Sequence, residues 1–257
     1  MSSRHRDKTL DSALQAALDR GDSVWVVGDI HGYRAEFEAL IDRMQLREGD
    51  MVLCLGDLVD RGPDSHGVIT IVHESEQIFS LKGNHELIMS QALTTDSGRA
   101  TGFWEERIGG KETLDSMPGD EEAKRKRAKE WLEFTDSLPT EVVLERFRMA
   151  HSGYRIDIPL DEQSDEDRLK SREVFLAEEP LDPLRQIIAG HTPVQKLGNF
   201  GVEPPEQGIW ISSARTTDER TAAVLIETGI ALEEPELRPR LSAYDLQTFR
   251  TEEIERL

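Results

Sequence analysis

Met51-Val52-Leu53-Cys54-Leu55-Gly56-Asp57-Leu58-Val59-Asp60-Arg61-Gly62 reads as a buried strand that stops at a glycine and opens into an acidic turn holding one arginine. Five apolar residues bounded by turn chemistry suit a strand covered on both faces. The same grammar recurs on either side. Val24-Trp25-Val26-Val27 runs into Gly28-Asp29-Ile30-His31-Gly32, and a third strand over Gln77–Leu81 ends near Gly83-Asn84-His85-Glu86. Between them, Phe37, Leu40, Ile41 and Met44 recur at helical spacing within Ala35–Met44. A second helix over Ser65–Glu74 carries Val68, Ile69, Ile71 and Val72, and a third covers Leu87–Leu93. Three successive β-α units imply parallel strands with right-handed crossovers. Side chains just past the ends of such strands converge on one cleft, and a glycine there lets the backbone turn sharply.

Further along, the segment from about 99 to 139 is helical and highly charged, broken at Gly109-Gly110 and Pro118-Gly119. Strand-like runs resume at Val142-Val143-Leu144 and Phe147-Arg148-Met149 and lead into His151-Ser152-Gly153. An acidic loop with Asp157, Asp161, Glu162, Asp165, Glu166 and Asp167 follows, then a strand over Gln186–Ala189 that runs into Gly190-His191-Thr192. Ile209–Ile211 and Ala222–Ile226 read as strands antiparallel to their neighbours, and the last fifteen or so residues fit strand or helix equally. With no internal repeat and no Gly/Ser- or Pro-rich linker, residues 1–257 read as one α/β domain with a helical insertion at about 99–139.

The chain has 51 acidic and 31 basic residues, a formal net charge of -20. Such a field repels nucleic-acid backbones and anionic membranes, so neither is an expected partner. The lone Cys54, in an apolar run, excludes an intrachain disulfide and reads as a buried strand residue. The N-terminal residues lack an apolar h-region and no run is long enough to cross a bilayer. The expectation is a soluble, cytoplasmic protein.

Asp29, His31, Asp57, Asn84, His151 and His191 together supply two carboxylates, one amide oxygen and three imidazoles, a donor set suited to two divalent transition metals. Asp57, in the central cluster, is the natural bridge; Asp29 and His31 complete one ion, and Asn84, His151 and His191 the other. Arg61 offers a planar fork matched to phosphate oxygens. His85 is placed to protonate a departing alkoxide, with Asp60 favouring its imidazolium form. These roles describe in-line displacement at phosphorus by a hydroxide bridging the two ions, with no covalent intermediate.

Gly-Asp-x-His-Gly, Gly-Asp-x-Val-Asp-Arg-Gly and Gly-Asn-His-Glu, followed by two separated histidines, resemble the metal-dependent phosphoprotein phosphatases (the PPP family) of bacterial Ser/Thr type, within the calcineurin-like metallophosphoesterases. The resemblance covers roughly residues 23–193. It implies a metallophosphoesterase fold, a β-sandwich of mixed sheets flanked by helices (α/β/β/α). It also implies the same six metal ligands, and Asp60, Arg61 and His85 as catalytic. Phosphate would be held by Arg61, Asn84 and a second arginine, Arg172, with Arg168 in reserve. Two divalent ions, Mn2+ first with Fe or Zn as alternatives, and phospho-Ser/Thr proteins as substrates, with phosphotyrosine also in range, follow from the likeness. Symmetrical diadenosine tetraphosphatases resemble the chain in the same motifs, including Arg61-Gly62-Pro63, and stand as the alternative; a non-catalytic scaffold is the third, although none of the six ligands is missing. Trp104…Gly109-Gly110…Thr113-Leu114 is similar to an insertion segment of bacterial members, with Ile108 where asparagine is common. Beyond Gln195 the likeness fades: Ile211-Ser212-Ser213-Ala214 replaces an Ile-Asp-Thr-Gly-like strand.

Several features carry simpler readings. Lys124-Arg125-Lys126-Arg127 follows Glu121 and Glu122 at helical spacing and reads as a solvated helix face. Trp104 and Trp131 read as core of the insertion, and His5, His66 and His73 as surface or locally packed residues. Were the acidic loop after His151 to line the cleft, phosphopeptides with basic flanks would be preferred.

Overall fold

The computed structural model describes residues 5–95 and 97–257. Helix α1 (Lys8–Arg20) opens the chain, capped by Asp7, whose carboxylate accepts from the Thr9 and Leu10 N–H groups, and closed by Gly21 at φ 84. Then β1 (Val24–Val27), α2 (Arg34–Met44), β2 (Met51–Cys54), α3 (Ser65–Glu74), β3 (Ile78–Ser80) and α4 (Asn84–Thr94) form the expected β-α units. The insertion is a run of short helices, α5 (Gly98–Phe103), α6 (Gly110–Ser116), α7 (Glu121–Glu130) and α8 (Leu132–Ser137), with a π-helical turn at Trp104–Ile108. Strands β4 (Glu141–Val143) and β5 (Phe147–Ala150), helix α9 (Asp165–Lys170), then β6 (Gln186–Ala189), β7 (Trp210–Ile211), β8 (Ala223–Leu225), β9 (Arg240–Asp245) and β10 (Thr251–Glu255) complete it.

Two five-stranded mixed sheets result, ordered β10-β9-β1-β2-β3 and β4-β5-β6-β8-β7. Strands β1, β2 and β3 are parallel, as the β-α grammar requires. Alternate residues of β1 face opposite sides, as the strand period dictates. Val24 and Val26 join Leu53, Val142, Met149, Ile188 and Val224 in a core between the sheets, while Trp25 and Val27 join Phe37, Leu40, Val68 and Met89 beneath the helices. The outer face of the second sheet packs Ala150, Ile187 and Leu225 against Tyr154, Val174, Phe175 and Leu197.

One expectation needs correcting, and one left open is resolved. Strand β8 runs antiparallel to β7 but parallel to β6, because the long connection after His191 lets the chain re-enter in the same direction. The ambiguous C-terminal segment is a strand hairpin, and β9 pairs antiparallel with β1. Helix α1, which sequence reading passed over, buries Leu10, Leu14 and Ala17 in the inter-sheet core.

The acidic loop is largely neutralised from within. Asp161 pairs with Arg148 at 2.7 Å, Asp157 with Arg155 at 2.8 Å and Asp165 with Arg168 at 3.5 Å, while Asp167 caps α9 through Ser164. The case for basic flanks therefore does not rest on that loop. Lys124 pairs with Glu121 and Asp115, both at 3.0 Å, and Arg125 with Glu105 at 2.7 Å, as a solvated helix face should. His66 and His73 pack on Trp131. No helix among the described residues is long and apolar enough to cross a membrane.

Candidate metal centre

The strand ends of both sheets meet in a backbone conformation that ordinary side chains avoid. Among the described residues, nine non-glycines have positive φ, and five are His31, Asp57, Asp60, Arg61 and His191, all candidates for the chemistry. Hydrogen bonds fix these turns to one another. The N–H groups of Ile30 and His31 donate to the Asp57 carbonyl at 3.1 and 2.7 Å, and Gly62 N–H donates to the His31 carbonyl at 2.8 Å. Gly83 is required by close approach: a Cβ there would strike the Asp57 carboxylate and backbone.

The fully buried Glu86 carboxylate underlies this arrangement. Its Oε1 accepts from Leu58 N–H at 2.7 Å and Val59 N–H at 3.3 Å, and its Oε2 accepts from Asp57 N–H at 2.9 Å and Gly83 N–H at 2.8 Å. Sequence reading had given Glu86 no role. Its place in Gly83-Asn84-His85-Glu86, three residues into α4, was the available signal, since acids at that position satisfy the first N–H groups of a helix.

Asp57 Oδ2 is the hub. It lies 3.5 Å from His151 Nε2, 3.7 Å from His31 Nε2 and 3.8 Å from His85 Nε2. Two donor groups share it, His31–Asp57–His85 and Asp57–His151–His191, the pattern a bridging carboxylate produces. Asp29 stands slightly apart, its Oδ2 4.0 Å from His31 Nε2 and its carboxylate accepting from His191 N–H at 3.0 Å.

The tautomers follow from the partners. His31 Nδ1–H donates to the Val59 carbonyl and His151 Nδ1–H to the Leu55 carbonyl, both at 3.0 Å, because a carbonyl can only accept. The Nε2 lone pair of His151 therefore faces Asn84 Oδ1 at 2.9 Å and Asp57 Oδ2, with His191 Nδ1 at 3.1 Å. Lone pairs crowded together in this way demand a cation. Burial, with Glu86 beside it, pushes the Asp57 carboxyl well above its ordinary range, and burial lifts Asp29 to about 7. Burial also drives His31, His151 and His191 downward, to the neutral form that ligates metal. The carboxylates need positive charge to stay ionised, and the imidazoles are ready to give electron pairs, so the donor set fits divalent ions.

Arg61 fills part of that electrostatic role. Its Nη1 lies 3.3 Å from His31 Nε2 and its Nη2 3.1 Å from His85 Nε2. A guanidinium only donates, so His85 presents a lone pair at Nε2 and its Nδ1–H goes to Asp60 Oδ2 at 2.8 Å. Burial first, and then Arg61, lower the proton affinity of this ring, while Asp60 holds its other nitrogen.

Arg172 Nη1–H donates to Thr192 Oγ1 at 2.8 Å, beside His191, and senses Asp29 and Asp57. Arg168 is buried against Glu141, 3.6 Å away, and is not a substitute for it. Two more residues escaped the sequence reading as site components. Trp104 and Thr113 both reach Asp60 from the insertion. So did Glu227, a buried acid that burial and then Asp29 keep well above its ordinary range.

A family model described as calcineurin-like phosphoesterase matches residues 23–219. Serine/threonine-protein phosphatase 1 of Salmonella typhimurium is 38% identical over 85 residues, covering 32% of this chain and 36% of that protein. A symmetrical bis(5'-nucleosyl)-tetraphosphatase of Wigglesworthia glossinidia brevipalpis is 36% identical over 67 residues, 25% of each chain. These curated relatives are thus matched over about a third of their length or less. A solved structure titled as a putative diadenosine tetraphosphatase superposes with a TM-score of 0.56 at 19% identity, covering 92% of this chain and 94% of that one, a likeness of fold.

Proposed function

Because this chain belongs to the calcineurin-like phosphoesterase family, we propose that it is a two-metal phosphomonoesterase whose substrates are proteins phosphorylated on serine or threonine. The observation that carries the proposal is the convergence of three histidine Nε2 atoms on Asp57 Oδ2 beside Arg61. One divalent ion would be held by Asp29, His31 and Asp57, the other by Asp57, Asn84, His151 and His191. Mn2+ is the first choice, with Fe and Zn as alternatives. Such ions supply Lewis-acid stabilisation of phosphoryl charge and make water acidic enough to attack phosphorus.

The protein's own groups divide the remaining work. Arg61 and Arg172 grip phosphoryl oxygens from two sides and, with Asn84, orient the group for in-line displacement. When the Arg61 fork turns to the phosphoryl group, His85 Nε2 is free to take a proton from solvent and deliver it to the departing serine oxygen, the ring then returning to its neutral form. Asp60 keeps Nδ1–H in place throughout. We read residues 1–257 as one domain with the insertion acting as a wall of the cleft, and the single buried Cys54 suits a reducing cytoplasm.

A groove of about 330 Å3 leads away from Arg61 and favours this reading over dinucleoside polyphosphates. It is lined by Glu106, Glu112 and Glu233, with Glu105 already paired to Arg125 at 2.7 Å, against Arg61 and Arg107. A polyphosphate chain laid there meets excess negative charge, whereas a peptide with basic residues near its single phosphate meets attraction. The test is a parallel assay of Mn-loaded protein on phosphopeptides and on diadenosine tetraphosphate. Faster turnover of the phosphopeptides is expected; a higher kcat/KM for the dinucleotide would transfer the assignment to the polyphosphatases.

A further inference from the structure

We propose that Trp104 and Thr113 are positioning residues that act through Asp60, holding the His85 ring so that its Nε2 is aimed at the leaving oxygen; this rests on the phosphomonoesterase reading above. Three side chains hold the Asp60 carboxylate, and its N–H is shared between Thr113 Oγ1 and Ser65 Oγ, the latter at 3.0 Å. Oδ1 accepts from Thr113 Oγ1–H at 2.8 Å and Trp104 Nε1–H at 3.0 Å, and Oδ2 accepts from His85 Nδ1–H at 2.8 Å. The Thr113 oxygen has two remaining lone pairs. One takes Asp60 N–H at 2.9 Å, and the other faces Ser65 Oγ at 3.0 Å.

The need for this grip is visible in the backbone. Asp60 and Arg61 are adjacent non-glycines at φ 71 and 72, a left-handed conformation that L side chains disfavour. Such a pair persists only where the surroundings over-determine it. Ser65 of α3 supplies part of the restraint, and the insertion supplies the rest. Besides Trp104 and Thr113, the Gly109 carbonyl accepts from Arg61 N–H at 3.2 Å. The π-helical turn Trp104–Ile108 brings the indole inward, a wider helical turn of the kind that collects at functional sites. Gly110 leaves room for it, since a Cβ there would strike the indole ring. Trp104 is fully buried, as a packing residue would be, yet its one polar atom is directed at the Asp60 carboxylate and bonds both oxygens.

The experiment uses Mn-loaded full-length protein and the variants Trp104→Phe, Thr113→Val and Thr113→Ser, assayed on phenyl phosphate (a poor leaving group) and p-nitrophenyl phosphate (a good one). Val keeps the shape of Thr and loses the donor, Phe keeps one aromatic ring while losing the donor and part of the buried volume, and Ser keeps the hydroxyl. Trp104→Phe and Thr113→Val should lower kcat on phenyl phosphate on the order of tenfold, a share of what a positioned acid supplies. The drop on p-nitrophenyl phosphate should be several-fold smaller, KM should stay nearly constant, and Thr113→Ser should recover most of the loss. Equal losses on both substrates, or no rescue by serine, would mean a structural role only and overturn the proposal. Nitrogen-15 NMR of the His85 ring gives a readout independent of turnover. The Nδ1–H signal should exchange with solvent faster in Trp104→Phe and Thr113→Val, and unchanged exchange in both would also overturn it. Should wild-type protein hydrolyse neither ester, the phosphatase reading fails while the NMR comparison still decides the positioning claim.

Discussion

Replacing Glu86 by glutamine changes one atom and leaves the side-chain shape intact, so its effect isolates what the carboxylate does. Each Glu86 oxygen accepts two backbone N–H groups, Leu58 and Val59 on one, Asp57 and Gly83 on the other. Whichever oxygen becomes NH2, two buried N–H groups lose their acceptor and face a donor. At roughly 1–3 kcal/mol per stranded group, the loss is about 4 kcal/mol. Removing a buried negative charge beside Asp57 returns part of that, leaving about 3 kcal/mol. For a chain of this length that corresponds to a fall in Tm of about 10 °C, read by calorimetry in the presence of chelator. The same N–H groups belong to the turns that present Asp57 and Asn84, so titration calorimetry should show Mn2+ affinity falling roughly tenfold or more. A variant that melts within about 2 °C of wild type and binds Mn2+ equally well would refute the view of Glu86 as the anchor of the centre.

Asp57→Asn should abolish tight binding of a second Mn2+ and reduce turnover to background while circular dichroism remains native, since the bridge is lost and the shape is kept. Adding Mn2+ to chelated wild type at a hundredfold excess over Kd should raise stability by about 2.7 kcal/mol per site, seen as a shift of several degrees in Tm; an unchanged Tm would argue against specific ions. Charge reversal at Glu106 and Glu112 in the groove should reduce kcat/KM for Arg-flanked phosphopeptides several-fold at low salt, converging with wild type at high salt; equal effects on acid-flanked peptides would remove the groove from specificity. Away from the centre, burial pushes the Asp50 carboxyl up, but Arg47 and the N–H groups of Arg47 and Ser23 outweigh it and hold it below its usual value. A depressed folded-state value stabilises above the unfolded value of about 3.9 and is lost as pH falls through the lower one. The stability gap between wild type and Asp50→Asn should therefore be widest near neutrality and close as pH falls below the ordinary carboxylate range.

The first three β-α units were legible because strand, glycine and ligand follow one another locally, and helix α3 occupies the span its apolar spacing marks. The six proposed ligands were legible for the same reason, each lying just past an apolar run. What was missed depends on contacts between distant positions. Trp104 and Thr113 reach Asp60 across 44 and 53 residues, and no local pattern announces that an indole N–H will meet a carboxylate. The Arg61 contact on the His85 ring was missed because a neighbouring acid was visible in sequence while the guanidinium on the opposite nitrogen was not. The parallel sense of β8 depends on the route of an irregular connection, which periodicity does not encode.

Strand β1 lies between β2 and β9, and its pairing of Trp25 with Asp245 spans most of the chain. As synthesis proceeds from the N-terminus, β1, β2 and β3 can assemble early, with the loops that carry Asp29 and Asp57 already shaped. Val24–Val27 then exposes an unfilled edge until Arg240–Asp245 has been made, an interval in which a nascent molecule is open to sticking to its neighbours. Slow maturation and a demand for chaperones during overproduction are thus written into the order of the strands.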